Sequence, residues 1–272
     1  MGFIGRFLDK LGEKSEQGSA SGEWILERPI AHRGLHDEKV PENSLAAFEA
    51  AIDAEFSIEI DVQLTKDKVP VVFHDDFFQR LTGLKKRVTK ATQDVVSMLK
   101  LAGTNEEVPT FKEVLDFVNG RVPLLIEIKK NKGSRGIELI VLDMLKDYKG
   151  KFAIQSFHPI AIRKVRRIDP SVCCGLLSSK LSDMKMLRIK KAAVKNARLF
   201  FMAKPDFLSF EISSFPNERV KRFREELQLP IIGWTIRTKE DIERAIKYCD
   251  GIIFENIENL TANYGSFAKT EV

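Results

Sequence analysis

Short apolar segments rich in branched residues alternate along the chain with longer segments whose apolar residues recur at helical spacing. The short segments predict strands at Pro29–His32, Ile58–Gln63, Leu124–Ile128, Phe152–Gln155, Val172–Gly175, Phe207–Phe210, Ile231–Thr235 and Gly251–Phe254. The longer segments predict helices at Ser44–Ala54, Thr110–Val118, Ile137–Leu145, Pro159–Ile168, Asp183–Ala197, Asn217–Leu227 and Lys239–Lys247, with a last short helix after Asn256. Because neighbouring parallel strands need a crossover that is usually helical, this alternation predicts a parallel sheet.

The number of strand–helix pairs favours a closed barrel over an open sheet. Eight strands alternating with eight helices fit an α/β fold of the TIM type, the (β/α)8 barrel. A doubly wound open sheet is the alternative, but the glycine-rich phosphate loop expected after its first strand is absent from the sequence. We therefore predict the TIM barrel.

Two segments fall outside this regular alternation. The apolar run Val69–Phe73 returns as a hairpin after the second strand, and residues 75–108 then show only weak periodicity. Because this segment is long for a plain connection, we predict a small insertion over the barrel mouth that shapes substrate access. Residues 1–22 are predicted to be an N-terminal segment and linker, ahead of a single barrel domain at 23–272.

Residues 3–11 of the N-terminal segment carry apolar side chains on one helical face, with basic residues around them. These apolar side chains are Phe3, Ile4, Phe7, Leu8 and Leu11. We expect the face to pack against the barrel. The alternative is a short interfacial helix that gives weak, salt-sensitive peripheral contact with anionic membranes.

Composition and charge narrow the class of protein. The chain has 272 residues, 43% of them hydrophobic, which is enough for one large core, and its three cysteines suggest no disulfide framework. The net charge of +5 would attract anionic substrates or membrane surfaces but is too small to indicate a nucleic-acid partner. The densest basic stretch, Lys180–Lys204, is expected to be a solvated helix face, with a lip for phosphate headgroups as the alternative. No signal-peptide pattern or membrane-length apolar run occurs, which predicts a cytoplasmic protein.

Two histidines flank a pair of acidic residues in the first third of the chain. Glu59 and Asp61 lie two positions apart in a predicted strand, so their side chains share a face and would repel each other without a cation between them. His32 and His74 each follow an apolar run. This pattern predicts a divalent-metal site with two candidate acid/base histidines. The other two histidines, His36 and His158, fit loop or cap positions.

The motifs around these residues resemble the glycerophosphodiester phosphodiesterase family, in order and spacing, from about Pro29 to Asn259. They are His32-Arg33-Gly34, Pro41-Glu42-Asn43-Ser44, Ile58-Glu59-Ile60-Asp61-Val62, Thr65-Lys66-Asp67 leading to His74-Asp75, Pro123–Lys129, Gln155-Ser156-Phe157, Gly233-Trp234-Thr235 and Asp250–Asn256. The chain departs from the family pattern at Glu55, Ser57 and Lys68, where small residues or glycine are usual. Lys68 replaces the glycine of a turn, which predicts local strain.

The residues and the resemblance together assign a candidate role to each site residue. Glu59, Asp61 and Glu127 are predicted to hold one Mg²⁺ or Ca²⁺ ion, because hard cations prefer oxygen ligands. For Glu127 alone, an ion pair with Lys129 is the alternative. Arg33 and Lys129 can bind phosphate oxygens. The resemblance places Glu42 close to metal or substrate, and helix capping is its alternative.

The resemblance also implies that Phe157 and Trp234 wall the pocket. Simple core packing is the alternative for both aromatic residues.

These assignments predict metal-dependent hydrolysis of glycerophosphodiesters to glycerol 3-phosphate and an alcohol, with His32 and His74 as acid and base. The partner is then a small-molecule phosphodiester. Which histidine is the base, and whether water or a substrate hydroxyl attacks, stay open, as do the head group and the oligomeric state. The alternatives are a lysophospholipase D acting on diesters that keep an acyl chain, and a barrel that binds phosphodiesters without catalysis.

Overall fold

A computed structural model describes residue 22, residues 24–179 and residues 203–255 of the chain. The predicted N-terminal amphipathic segment, the predicted helix Asp183–Ala197 and the helix predicted after Asn256 lie outside these residues. Most of the basic stretch Lys180–Lys204 does so as well. In the part of the chain that is described, no helix is long and apolar enough to cross a membrane.

The described elements follow the predicted alternation closely. The strands are β1 (Ile30–Ala31), β2 (Ser57–Leu64), β3 (Pro70–Val72), β4 (Leu124–Ile128), β5 (Phe152–Ser156), β6 (Cys174–Ser178), β7 (Phe207–Glu211), β8 (Ile231–Ile236) and β9 (Gly251–Phe254). The α-helices are α1 (Trp24–Glu27), α2 (Leu45–Asp53), α3 (Gln79–Thr82), α4 (Gln93–Val96), α5 (Phe111–Val118), α6 (Ile137–Leu145), α7 (Pro159–Ile168), α8 (Glu218–Leu227) and α9 (Lys239–Tyr248). Two 3₁₀ turns lie at Val88–Lys90 and Ile212–Ser214.

The nine strands of the described residues hydrogen-bond in the order β1-β9-β8-β7-β6-β5-β4-β2-β3, and β1 also pairs with β2. Pairing is parallel between β2 and β4 and along β5 to β9, whereas β3 runs antiparallel to β2. Leaving out β3, each strand has two neighbours, which is the strand topology of the predicted (β/α)8 barrel. Strand β3 pairs with β2 as the antiparallel hairpin that was predicted for Val69–Phe73.

The chain divides into two compact units, one formed by Ala31–Phe152 and the other by the residues before and after that range. In the first unit every residue of β2 and β4 is buried, as expected for parallel strands covered on both faces. Helix α2 begins after Ser44, whose side chain accepts a hydrogen bond from Ala47 N, and α5 begins with a capping box between Thr110 and Glu113. These caps fix where each helix starts.

The second unit contains β5 to β9 with α7, α8 and α9. Its strands are largely buried, and α9 begins with a capping box between Thr238 and Asp241. Strand β6 begins two residues later than predicted, because Val172 and Cys173 are buried ahead of the strand and burial alone does not mark its start. The three cysteines are free and buried.

The predicted insertion at residues 75–108 packs around an apolar cluster that also includes Val71 and Phe73 of the preceding hairpin. Its short helices α3 and α4 and a 3₁₀ turn surround a cluster of buried residues, in which the rings of Phe73 and Phe78 lie 4.9 Å apart. The other buried members are Val71, Val88, Ala91, Val96, Leu101 and Val108. The hydrophobic periodicity of this segment is weak because its helices are short and surround a compact cluster. The segment belongs to the first unit.

A glycine just after the first strand shows how closely α2 packs in the first unit. Gly34 has φ +81°, and a Cβ there would lie 2.8 Å from the backbone of Ala47. Gly83 has a similar φ of +77°, but a Cβ there would meet nothing within 4 Å. The two glycines thus share a backbone conformation and differ in the space around them.

We expect Gly34→Ala to lower the free energy of unfolding more than Gly83→Ala does. The left-handed backbone alone costs about 1–2 kcal/mol for an alanine, and the clash with Ala47 adds roughly 1–3 kcal/mol at Gly34 only. Urea denaturation of both variants and of the parent chain measures the difference. Equal losses at the two positions would contradict the close approach to α2.

Candidate active site

Three carboxylates meet on one face of two adjacent strands in the first unit. Glu59 and Asp61 alternate along β2, and the parallel register places Glu127 of β4 directly opposite Asp61. One oxygen from each of the three side chains can be chosen so that all lie within 4.8 Å of one another. Strand periodicity and parallel pairing therefore bring together the three residues predicted as metal ligands.

Burial of these carboxylates makes their negative charges costly. Burial, reinforced by the charges of Asp61 and Glu127, raises the pKa of Glu59 well above its ordinary value. Burial also raises the pKa of Glu127 to about 7, although Lys129 opposes this shift. Burial acts in the same direction on Asp61, but Lys129 and Arg33 outweigh it and hold the pKa of Asp61 below its ordinary value. The cluster therefore has more buried acid than its own cations neutralise.

The donor set fits a hard divalent cation. The Oε1 atom of Glu59 is buried and accepts no hydrogen bond from any described residue. A buried oxygen without a donor is costly, and a metal ion would satisfy it together with the neighbouring carboxylates. The three residues could therefore bind one metal ion through oxygen ligands alone.

Two basic side chains contact the same carboxylates. The Lys129 ammonium lies 2.9 Å from Asp61 Oδ1 and 2.7 Å from Glu127 Oε1, so it bridges two of the predicted ligands. Arg33 Nε lies 3.2 Å from Asp61 Oδ2, and the Arg33 backbone N–H donates to Glu59 Oε2 at 3.2 Å. Both residues predicted to bind phosphate thus lie at the predicted metal ligands, and the alternative ion pair between Glu127 and Lys129 is also present.

Both predicted catalytic histidines lie beside this cluster. His32 Nε2 is 3.9 Å from Glu59 Oε2. Strand β3 places Phe73 N against Asp61 O at 2.9 Å, and His74 follows directly. Burial lowers the pKa of His74, although the charge of Asp61 opposes this shift, so the neutral ring is favoured near neutral pH.

Glu42 belongs to the site and does not cap a helix. Its carboxylate accepts hydrogen bonds from Arg33 Nη1 at 2.8 Å and from Arg80 at 2.7 and 2.8 Å, while Ser44 caps α2. The pKa of Glu42 lies below its ordinary value because these arginines outweigh the effect of burial. Capping by Glu42, the alternative in the sequence analysis, is therefore wrong.

The structure adds four polar residues that sequence reasoning missed. Asn43 donates to Asp61 Oδ2 at 3.0 Å, Asp75 contacts His74 Nδ1 at 2.7 Å, and Arg80 hydrogen-bonds both Asp75 and Glu42. Gln63 donates to the backbone carbonyl groups that follow β3. Gln63 continues the two-residue period of Glu59 and Asp61, and that signal could have found it.

Phe157 and Trp234 lie in the second unit and contact each other. Their rings are 5.7 Å apart in an edge-to-face arrangement at 84°. Phe157 is 44% exposed, so it does not fill the core, and Trp234 Nε1 is a buried donor without an acceptor among the described residues. Their predicted role as a pocket wall stays a prediction.

The chain is similar to known phosphodiesterases over most of its length. Residues 32–259, which make up most of the chain, match the glycerophosphoryl diester phosphodiesterase family. This match places the chain among the enzymes that hydrolyse phosphodiesters. A glycerophosphodiester phosphodiesterase of Caldanaerobacter subterraneus subsp. tengcongensis is 32% identical over 247 residues, covering 85% of this chain and 95% of that protein. The chain therefore belongs to the glycerophosphodiester phosphodiesterase family, as its motifs predicted, and is an enzyme of this type.

Solved structures agree with this assignment. A glycerophosphodiester phosphodiesterase from Thermotoga maritima superposes with a TM-score of 0.65 at 26% identity, covering 88% of this chain and 96% of that one. An Oleispira antarctica phosphodiesterase, solved with the product sn-glycerol-3-phosphate, gives a TM-score of 0.71 at 21% identity, covering 89% and 97%. These similarities confirm the predicted TIM-barrel fold.

We expect Glu59→Gln to weaken Mg²⁺ or Ca²⁺ binding by roughly 100-fold or more, because it removes one ligand charge from the carboxylate cluster. Isothermal titration calorimetry of chelator-treated protein measures the affinity. Asp116→Asn is the matched control, since Asp116 is an exposed carboxylate on α5 that pairs with Lys112. Unchanged binding in Glu59→Gln would rule out Glu59 as a ligand.

Lys129→Met should tighten binding of the same cation several-fold. The Lys129 ammonium competes for Asp61 and Glu127, and its removal leaves their charges free for the metal ion. The same calorimetric titration tests this, with Lys112→Met as an exposed control. Weaker metal binding in Lys129→Met would show that the ammonium does not compete for these oxygens.

Proposed function

We propose that the chain hydrolyses glycerophosphodiesters to glycerol 3-phosphate and an alcohol, with one Mg²⁺ or Ca²⁺ ion held by Glu59, Asp61 and Glu127. His32 and His74 are the acid and base. The observation that carries this proposal is the buried carboxylate cluster with both histidines beside it, in a chain of this enzyme family.

The charges of the site match the requirements of phosphodiester cleavage. A phosphodiester is anionic and repels nucleophiles, so its charge must be neutralised before attack. A bound divalent cation supplies Lewis-acid stabilisation of the phosphoryl oxygens. Arg33 and Lys129 hold the remaining oxygens and orient phosphorus for attack, since both side chains already lie at the metal ligands.

The histidines move protons at the two reacting oxygens. One ring removes a proton from the nucleophile, and the other protonates the leaving alkoxide. Because burial favours the neutral form of the His74 ring, that ring can accept a proton near neutral pH. Water and a hydroxyl group of the substrate both need the same pair of groups, so the assignment holds for either nucleophile.

Within the second unit, the aromatic pair has the chemistry to bind a glycerol group. Trp234 offers a buried N–H donor without an acceptor among the described residues, and Phe157 presents an exposed ring beside it. Together they can bind a polyol through one polar contact and one apolar face. The related Oleispira antarctica phosphodiesterase was solved with sn-glycerol-3-phosphate, which supports the same product here.

We expect His32→Ala and His74→Ala each to lower turnover of glycerophosphocholine by about 10²–10⁴-fold, and EDTA to abolish turnover until Mg²⁺ or Ca²⁺ is restored. Released glycerol 3-phosphate is measured with a coupled dehydrogenase assay. His36→Ala is the control, because His36 has no place in the proposed chemistry.

A panel of glycerophosphoethanolamine, glycerophosphoglycerol and lysophospholipids tests the substrate class with the same variants. Full turnover in EDTA would refute the role of the metal ion. Release of glycerol 3-phosphate at the parental rate by either histidine variant would remove that histidine from the mechanism.

A further inference from the structure

Arg80, an arginine of the insertion, contacts two carboxylates of the candidate site at once. The Arg80 guanidinium donates to Glu42 at 2.8 and 2.7 Å and to Asp75 at 2.6 and 3.1 Å. Each carboxylate therefore receives two hydrogen bonds from the same planar group. Such bidentate contacts fix the planes and directions of both partners, which a lysine ammonium cannot do.

Each carboxylate held by Arg80 contacts a residue of the proposed mechanism. Asp75 Oδ1 lies 2.7 Å from His74 Nδ1, and Glu42 Oε1 accepts from Arg33 Nη1 at 2.8 Å. Burial would raise the pKa of Asp75, but hydrogen bonds from Arg80 and His74 outweigh it and keep this pKa below its ordinary value. Asp75 is therefore ionised and accepts only, so the His74 proton lies on Nδ1 and Nε2 is left for the substrate.

The backbone beside His74 is fixed by a different residue. The Gln63 amide donates to the carbonyl oxygens of Phe73, His74 and Asp75 at 2.7, 3.1 and 2.8 Å, and its Oε1 accepts from Asn131 at 2.8 Å. With the main chain fixed, the remaining freedom of His74 is rotation of its ring. The contact with Asp75 restricts that rotation, and Arg80 fixes Asp75.

A contribution to stability alone does not account for this geometry. The Arg80 side chain is 47% exposed, and ion pairs at such positions contribute little to folding free energy. Arg87 of the same insertion is 46% exposed, contacts Asp76 at 3.3 Å and lies over the Phe77 ring, 4.6 Å from its centroid. Two arginines of nearly equal exposure thus differ in their partners, because Asp75 contacts the His74 ring directly whereas Asp76 contacts Asn131.

We propose that Arg80 is a positioning residue, which holds the His74 ring in one tautomer and orientation through Asp75. The proposal rests on the proposed role of His74 as acid or base. It also gives the insertion at residues 75–108 a direct part in the chemistry, because Arg80 lies on α3 within it.

Arg80→Gln is expected to lower kcat for glycerophosphocholine by roughly 10- to 100-fold, with a smaller change in KM and little change in melting temperature. Arg80→Lys should not restore kcat, since an ammonium cannot contact both carboxylates bidentately. Arg87→Gln, the matched control, should behave as the parent chain. In a His74→Ala background, Arg80→Gln should cause almost no further loss, because the two changes remove the same contribution.

A spectroscopic measurement tests the positioning without any activity. In the full-length chain with ¹⁵N-labelled histidine at about pH 8, where imidazole is neutral, His74 is assigned from its absence in His74→Ala. We expect the Nδ1–H tautomer in the parent chain and in Arg87→Gln, and a mixture of tautomers in Arg80→Gln.

The outcomes separate the two proposals. If the parent chain cleaves no glycerophosphodiester, the proposed function fails, and the tautomer result still decides the positioning role. An unchanged His74 tautomer in Arg80→Gln overturns the positioning role. A full additional loss of kcat from Arg80→Gln in the His74→Ala background overturns it as well.

Discussion

The burial of three carboxylates on two neighbouring strands is the constraint around which the first unit is organised. Buried charges of one sign are unfavourable unless cations or hydrogen-bond donors compensate them. The surrounding chain supplies both: Lys129 bridges two of the acids, Arg33 contacts two through its backbone and side chain, and Asn43 donates to Asp61. The cluster keeps a net excess of acid even so, and these three carboxylates could therefore hold a divalent cation.

The charges of the cluster also affect the protonation of a neighbouring histidine. The charge of Asp61 favours the protonated form of the His74 ring, while burial favours the neutral form and lowers the pKa of His74. These opposing effects suit the proposed role of His74, because an acid or base must both gain and lose a proton. The insertion then adds Arg80, which contacts Glu42 and Asp75 from the exposed side.

The features of the fold that depend on local periodicity and chain order could be predicted from the sequence. The shared face of Glu59 and Asp61, and the boundaries of β4 and α6, follow from spacing alone. Contacts over long separations leave no such pattern: Arg80 and Glu42 are 38 positions apart and belong to segments of weak periodicity. The sequence raised the contact of Lys129 with Glu127, but its contact with Asp61 on the neighbouring strand depends on side-chain direction, which spacing does not specify.

Two residues other than glycine at the site have a left-handed backbone conformation. Arg33 and Asn43 have φ values of +57° and +56°, in the left-handed region that favours glycine. Such residues cost of order 1–3 kcal/mol each and persist where surrounding contacts fix them. At Arg33 this conformation lets the backbone N–H reach Glu59 while the side chain reaches Asp61 and Glu42. Lys68, at the turn after β2, has φ +70° in the position where the family usually has glycine, but its ammonium contacts Gly133 O and no residue of the site. At Arg33 the left-handed conformation therefore supports contacts with the carboxylates, whereas at Lys68 it lies in the turn between β2 and β3.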